Sequence, residues 1–350
     1  MKIAHCIYSL KYGGAETLLI DVINEQSKNH TLTLIVINSE YDPELLKTIS
    51  KRVSIVFINR KAGSRSIMPI LKLNCKLIAL SPNVIHIHNE SIAKIILPVF
   101  RNIFLTVHCL GVPCCNFKRL KGLYAISESV KDDVRQKGEF PVITIPNGID
   151  LTKIEKREPA PFKERMKIVQ VARLNHSIKG QDILIKALAI LVDKGYDITV
   201  DFIGEGCSLE ELVALCKELG VHERVKFLGL RNREYIYSHL KEYDLLCHPA
   251  RFEGFGLVVA EGMAANLPVL VPDKDGAYEV IDYGKFGTSF RYGDEKNCAK
   301  KIEYIFNNYI EALKILPQAY SYVGNNYSLT NMVEKYVAHY KKNNTICKKY

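Results

Sequence analysis

"RFEGFGLVVAEGMAANLPVLVP", residues 251–272, is among the most apolar runs of the chain, yet it carries Glu253 and Glu261. A carboxylate buried without partners costs on the order of several kcal/mol, so both acids need partners or must face a cleft. Gly254 and Gly256 flank Phe255. From Leu257 onward, Val258, Glu261, Gly262 and Ala265 recur at helical spacings of three and four. This predicts Glu253 in a loop and Glu261 about one turn inside the helix that follows, both turned toward one ligand, with "PVLVP" as the next strand.

Outward from this stretch the same alternation continues. Strands are expected at "KIAHCIYSL", "TLTLIVIN", "VSIVFIN", "NVIHIHN", "NIFLTVH", "GLYAIS" and "VITIPNG", and in a second series at "MKIVQVARL", "YDITVDFIGEG", "RVKFLGL", "DLLCHPA", "PVLVP" and "GTSFRY". Helix-like segments lie between most of them, the pattern of parallel sheets covered on both faces. The polar stretch "DLTKIEKREPAPFKER" separates the series. The expected fold is therefore α/β, with two Rossmann-like domains whose parallel sheets face a central cleft: residues 1–160, residues 161–320, and a closing helical segment 321–350 that packs back on the first domain.

Composition narrows the function. Hydrophobic residues make up 47% of the 350, enough for two cores, but no run approaches the ~18 uninterrupted apolar residues of a membrane span. The first residues do not read as a signal peptide, and the ten cysteines are scattered rather than spaced for zinc. A cytoplasmic protein with no bound metal is expected. The net charge of +10 is uneven: from Lys51 to Lys121 there are twelve Lys or Arg and one acid, Glu90, among apolar stretches such as "IMPILKLNCKLIAL". Such a surface suits an anionic partner, either membrane phospholipid or nucleic acid. No nucleic-acid module is present in the sequence, so no nucleic-acid partner is expected.

Ligands of open α/β sheets bind beyond the C-terminal strand ends, which directs attention to the loops there. In "LKYGGAET", Gly13 and Gly14 precede a helix whose free N–H groups could receive an anion. In "VARLNHSIKGQD", Arg173 follows a strand and Lys179 stands just before a helix, two cations that form a metal-free diphosphate clamp. His86 and His88 share a strand face and read as hydrogen-bonding neutral histidines. His108 ends a strand, ahead of a glycine.

These residues resemble a known family. "GGAE", "VARL…KG", "FIGEG", "VKFLG" and above all "EGFGLVVAEGMAANLPV" are similar to the retaining nucleotide-sugar glycosyltransferases of the GT-B fold, family 4 (glycosyl transferases group 1), of the bacterial surface-polysaccharide type. The resemblance implies that Glu253 contacts the donor sugar and Glu261 the ribose hydroxyls. It also implies that the backbone of Phe255, Gly256 and Leu257 holds sugar hydroxyls and phosphate. Arg173 and Lys179 would grip the diphosphate, Gly14 would approach it, Leu230 would line the donor site, and His108 would lie at the reaction centre with Glu253. No cofactor is implied. The donor is a nucleotide sugar, a UDP-sugar over a GDP-sugar, and the acceptor a lipid-linked saccharide. Cys109 stands where many of that group carry aspartate, and Asn266 where glycine is frequent. A nucleotide-sugar epimerase of the same fold and a non-catalytic nucleotide-sugar-binding protein remain the alternatives.

Overall fold

Apolar β-branched segments without polar alternation form strands only where both faces are covered. The second expected strand shows this: in Thr31–Asn38 every residue after the first is buried. In the computed structural model, which describes residues 1–162 and 165–346, each expected strand segment contains a strand. The first series gives β1 (Lys2–Ile7), β2 (Thr31–Asn38), β3 (Val53–Arg60), β4 (Val84–Ile87), β5 (Ile103–Val107), β6 (Gly122–Ala125) and β7 (Val142–Thr144). The second gives β8 (Met166–Val171), β9 (Ile198–Ile203), β10 (Val225–Phe227), β11 (Leu245–Cys247), β12 (Val269–Pro272) and β13 (Thr288–Phe290).

The two series make two separate sheets. One is seven-stranded in the order β3-β2-β1-β4-β5-β6-β7, the other six-stranded in the order β10-β9-β8-β11-β12-β13. Every pairing is parallel. Each sheet therefore has one point where the winding reverses, between β1 and β4 in the first and between β8 and β11 in the second. Such reversal points leave a crevice at the strand ends that a ligand can enter.

The chain divides into two compact units. Unit 1 comprises Met1–Gly148 with the segment from Leu329 onward, and unit 2 comprises Ile149–Ser328. Unit 2 is longer at both ends than the expected 161–320, for identifiable reasons. The stretch read as a linker is anchored to unit 2: Glu155 N–H donates to Tyr237 O at 3.0 Å and Arg157 N–H to Ala265 O at 2.8 Å. The Arg157 guanidinium reaches the buried Asp244 at 2.7 Å. At the other end, the helix Leu316–Asn326 packs on the helix Leu257–Ala264, and Tyr327 meets the Phe255 ring edge-on at 5.2 Å. The helix Leu329–Ile346 then completes the core of unit 1, where Tyr336 and Tyr340 are fully buried against His86 and Tyr124.

Candidate active site

The reversal point of the second sheet explains why two distant loops meet. The chain leaving β8 carries Arg173 and Lys179, and the chain leaving the neighbouring β11 carries His248, Arg251 and Glu253. Arg251 pins the loops together. Its guanidinium takes both carboxylate oxygens of Asp182 at 2.6 and 2.8 Å, and also donates to His176 O at 2.7 Å. The backbone N–H groups of Arg251 and Phe252 share the Ile178 carbonyl. Gly180 is indispensable to this approach: it has φ +66°, and a Cβ there would lie 2.0 Å from Pro249 O.

Glu253 sits at the centre. Its Oε2 accepts from Lys179 Nζ at 2.8 Å and from His248 Nε2 at 2.7 Å. Burial alone would raise the carboxyl pKa, but the Lys179 charge and the His248 hydrogen bond outweigh it and hold the group well below the usual carboxylate range. Both strong donors fall on Oε2. Among the described residues Oε1 has only a long approach from Phe255 N–H, at 3.4 Å, and remains the better placed oxygen for a ligand hydroxyl. The loop is tight: Gly276 N–H donates to Glu253 O at 3.1 Å, and a Cβ on Gly276 would meet Gly254 O at 2.3 Å.

Beyond the loop, Gly256 takes φ +94° and starts the helix Leu257–Ala264, with no side chain among the described residues capping its first N–H groups. Those groups, with the positive end of the helix dipole, form an anion-binding feature. Glu261 lies inside this helix and is buried. It accepts from Tyr237 Oη at 3.2 Å and has the Arg233 guanidinium 3.7 Å away. The helix ends through Asn266, which adopts the left-handed conformation with φ +58°. Arg173 is exposed at the mouth of β8, and Leu230 is exposed after Gly229, with its N–H 3.4 Å from Glu205 Oε1. The glycines of "IGEG" have a local explanation, since Cβ atoms on Gly204 and Gly206 would collide with the carbonyls of Ala172 and Leu174.

Unit 1 has its own set of residues around the first reversal point. Gly14 begins the helix Gly14–Gln26 after β1, with Gly13 as its N-cap. His88 follows β4, and His108 follows β5, half-buried, with its Nε2 3.1 Å from His88 Nδ1. Burial lowers the His108 pKa to about 4, so the ring is neutral at pH 7. Cys109 is exposed.

His248 was not legible as a site residue from sequence, although it directly precedes the Pro-Ala-Arg run and Glu253. His5 was likewise missed. Both are buried, His5 within β1 and His248 just after β11, where a single histidine carries no periodic signal.

With this geometry in place, comparison with known proteins identifies the class. Residues 12–153 match Glycosyltransferase Family 4 and residues 152–322 match Glycosyl transferases group 1. The chain belongs to this family and is a glycosyltransferase with the two Rossmann-like units of the GT-B fold. Among its relatives is the N-acetylgalactosamine-N,N'-diacetylbacillosaminyl-diphospho-undecaprenol 4-alpha-N-acetylgalactosaminyltransferase of Campylobacter jejuni, 26% identical over 85% of this chain and 87% of that one. Solved structures with the same fold include Anabaena HepE in complex with UDP and glucose, at TM-score 0.83 and 19% identity over 98% of this chain and 100% of that one. A glycosyltransferase from Rickettsia africae has TM-score 0.81 and 20% identity over 98% of both chains.

Proposed function

We propose that this glycosyltransferase moves a sugar from a nucleotide sugar, a UDP-sugar in preference to a GDP-sugar, to a lipid-linked saccharide, with retention of configuration and without a metal, during assembly of a cell-surface polysaccharide. The observation that carries the reading is the Lys179–Glu253–His248 arrangement beside an uncapped helix N-terminus, one turn ahead of the buried Glu261. Glu261 accepts from the ribose hydroxyls and Glu253 Oε1 from a sugar hydroxyl. Arg173, Lys179 and the N–H groups at Gly256 and Leu257 meet the diphosphate, where negative charge grows as the glycosidic bond breaks. Gly14 and Leu230 border the nucleotide, and His108 meets the donor sugar.

Glu253 is a poor nucleophile here, because two strong donors occupy Oε2 and stabilise its charge. Retention is then served by front-face displacement, in which the departing phosphate oxygen takes the acceptor proton. The nucleotide and acceptor classes are supported by two similar proteins, one acting on a diphospho-undecaprenol sugar and one crystallised with UDP and glucose.

A membrane-facing surface fits such an acceptor. The helix Met68–Leu80 buries only Leu73, Asn74 and Leu77. Asn74 ties it to the neighbouring loop, donating to Ile95 O and accepting from Leu97 N–H, both at 2.8 Å. Ile67, Met68, Leu71, Ile78, Leu97 and Val99 remain exposed, with Val99 at 71%. Lys61, Arg65, Lys76, Lys94 and Arg101 are exposed in the same segments. Arg60, Lys72 and Arg119, by contrast, spend donors on backbone carbonyls. The cell-surface reading places the protein in the cytoplasm, attached peripherally to the inner face of the plasma membrane.

The test is a thermal-shift screen with UDP, GDP, ADP and their sugars, followed by NMR of the transfer product. Stabilisation by UDP species and a product with the donor's anomeric configuration are expected. Inversion of configuration, or no response to any nucleotide, would overturn the proposal.

A further inference from the structure

Three histidines of unit 1 form a continuous line ending at His108. Gln26 Oε1 lies 2.8 Å from His5 Nε2, His5 Nδ1 lies 3.0 Å from His88 Nε2, and His88 Nδ1 lies 3.1 Å from His108 Nε2. The sheet order creates this line: β1, β4 and β5 are neighbours, which brings His5, within β1, beside His88 and His108, the residues that follow β4 and β5.

His5, His86 and His88 also bring metal-capable atoms within 4.8 Å of one another. Their rings are stacked, however, with His88 inclined by 16° to His86 and by 23° to His5. Lone pairs in nearly parallel ring planes do not converge on one ion. The ring nitrogens are also engaged elsewhere, His86 with Tyr340 Oη and Thr106 Oγ1 and the others along the line. The cluster is a hydrogen-bond relay.

Burial lowers the pKa of His5 and His108 to about 4 and those of His86 and His88 well below 6.5, so all four rings are neutral at pH 7. A neutral imidazole has one donor and one acceptor. In a line of neutral rings, the polarity at one end therefore sets every link. Gln26 supplies that end. Its Oε1, which can only accept, lies 2.8 Å from His5 Nε2, so that ring nitrogen carries the proton.

We propose that Gln26, His5 and His88 are positioning residues that fix the tautomer of His108: each ring carries its proton on Nε2, and His108 Nδ1 is left as an acceptor for a sugar hydroxyl. This rests on the reading that His108 meets the donor sugar. His108 Nδ1 makes no hydrogen bond among the described residues. The polarity has chemical content. An Nδ1 lone pair attracts a hydroxyl and repels a phosphate oxygen, whereas the opposite tautomer would present an N–H suited to an anion.

The relay is tested on the wild-type protein labelled with ¹⁵N-histidine, by long-range ¹H–¹⁵N correlation at pH 7.5. Protons on Nε2 of His5, His88 and His108 are expected, and Nδ1 protons at His88 and His108 would overturn the proposal. Variants test its purpose, with UDP-glucose and UDP-N-acetylglucosamine as donor probes and UDP as the binding probe. His88→Leu breaks the line and is expected to lower kcat about tenfold with UDP affinity unchanged. His88→Gln, whose amide can donate to His5 and accept from His108, should recover most of it. Equal losses in both variants, or a parallel fall in UDP affinity, would mean a structural role and overturn the proposal. If His88→Leu does not fold, the wild-type spectrum and His88→Gln decide. His108→Ala separates the premise: undiminished turnover would remove His108 from the sugar site, whatever tautomers the spectrum shows.

Discussion

Lys179 and Glu253 lie 74 residues apart in sequence and 2.8 Å apart in space, Nζ to Oε2. The lysine thus holds the carboxylate in its charged form, and in the proposed function it also meets the diphosphate. Glu253→Gln should therefore slow turnover and leave nucleoside diphosphate binding intact. Lys179→Met should weaken that binding and also destabilise unit 2 by on the order of 3 kcal/mol, because it removes one partner of a largely buried ion pair. Calorimetry with UDP and denaturant melts check both. Unchanged UDP binding in Lys179→Met would remove the lysine from the diphosphate site.

Glu261→Ala separates ribose recognition from sugar recognition. A lost hydrogen bond to a charged acceptor is worth about 1.5–3 kcal/mol, so UDP affinity should fall roughly tenfold or more. Wild-type affinity in this variant would show that Glu261 serves Tyr237 and Arg233 rather than a ribose.

In the proposed site, Arg173, Lys179 and the helix N-terminus at Gly256 would supply the positive potential that other diphosphate sites draw from a divalent ion. Activity is expected to persist in EDTA. Loss with chelator and recovery with magnesium or manganese would contradict this.

The exposed apolar and basic residues of 61–101 should bind vesicles containing anionic lipid, at roughly 1 kcal/mol for each basic residue near the surface, and release them as salt rises. Ile67→Asp with Val99→Asp should reduce co-sedimentation without lowering Tm, since both side chains are exposed. Equal binding to neutral vesicles, or none to anionic ones, would favour a soluble acceptor.

Acid should unfold unit 1 early. His5 and His108 have folded-state pKa values near 4 because of burial, below the ordinary 6.5. Between these values the unfolded chain binds more protons. The stability is present in full above about pH 6.5 and is lost as pH falls toward 4, with a slope up to about 1.4 kcal/mol per pH unit for each histidine. Thermal melts at pH 7.5, 6 and 5 read this directly, and a pH-independent Tm would refute it.

The strands were legible because runs such as Thr31–Asn38 and Val269–Pro272 must be buried on both faces, and burial leaves its mark in composition. Glu253, Glu261 and Lys179 were recognisable as candidates because charge in an apolar or glycine-rich stretch is anomalous. His5, His248 and Gln26 were not, because their significance lies in which strand end or helix end each meets, and adjacency across a sheet leaves no periodic trace. The expected domain limits differ from the ends of the compact units for a similar reason. "DLTKIEKREPAPFKER" has the polar composition of a linker, but Arg157 is one half of a buried ion pair with Asp244.

The path of the chain also orders its biosynthesis. Unit 2 is one continuous stretch, whereas unit 1 borrows Tyr336 and Tyr340 from the terminal helix to close around His86 and Tyr124. As the chain leaves the ribosome, the seven-stranded sheet emerges first, yet its core is finished last. Until then, the His86 side of the sheet lacks its aromatic cover. The nascent protein therefore carries an unfinished first half throughout synthesis of the second, the stage at which a chaperone would have most to protect.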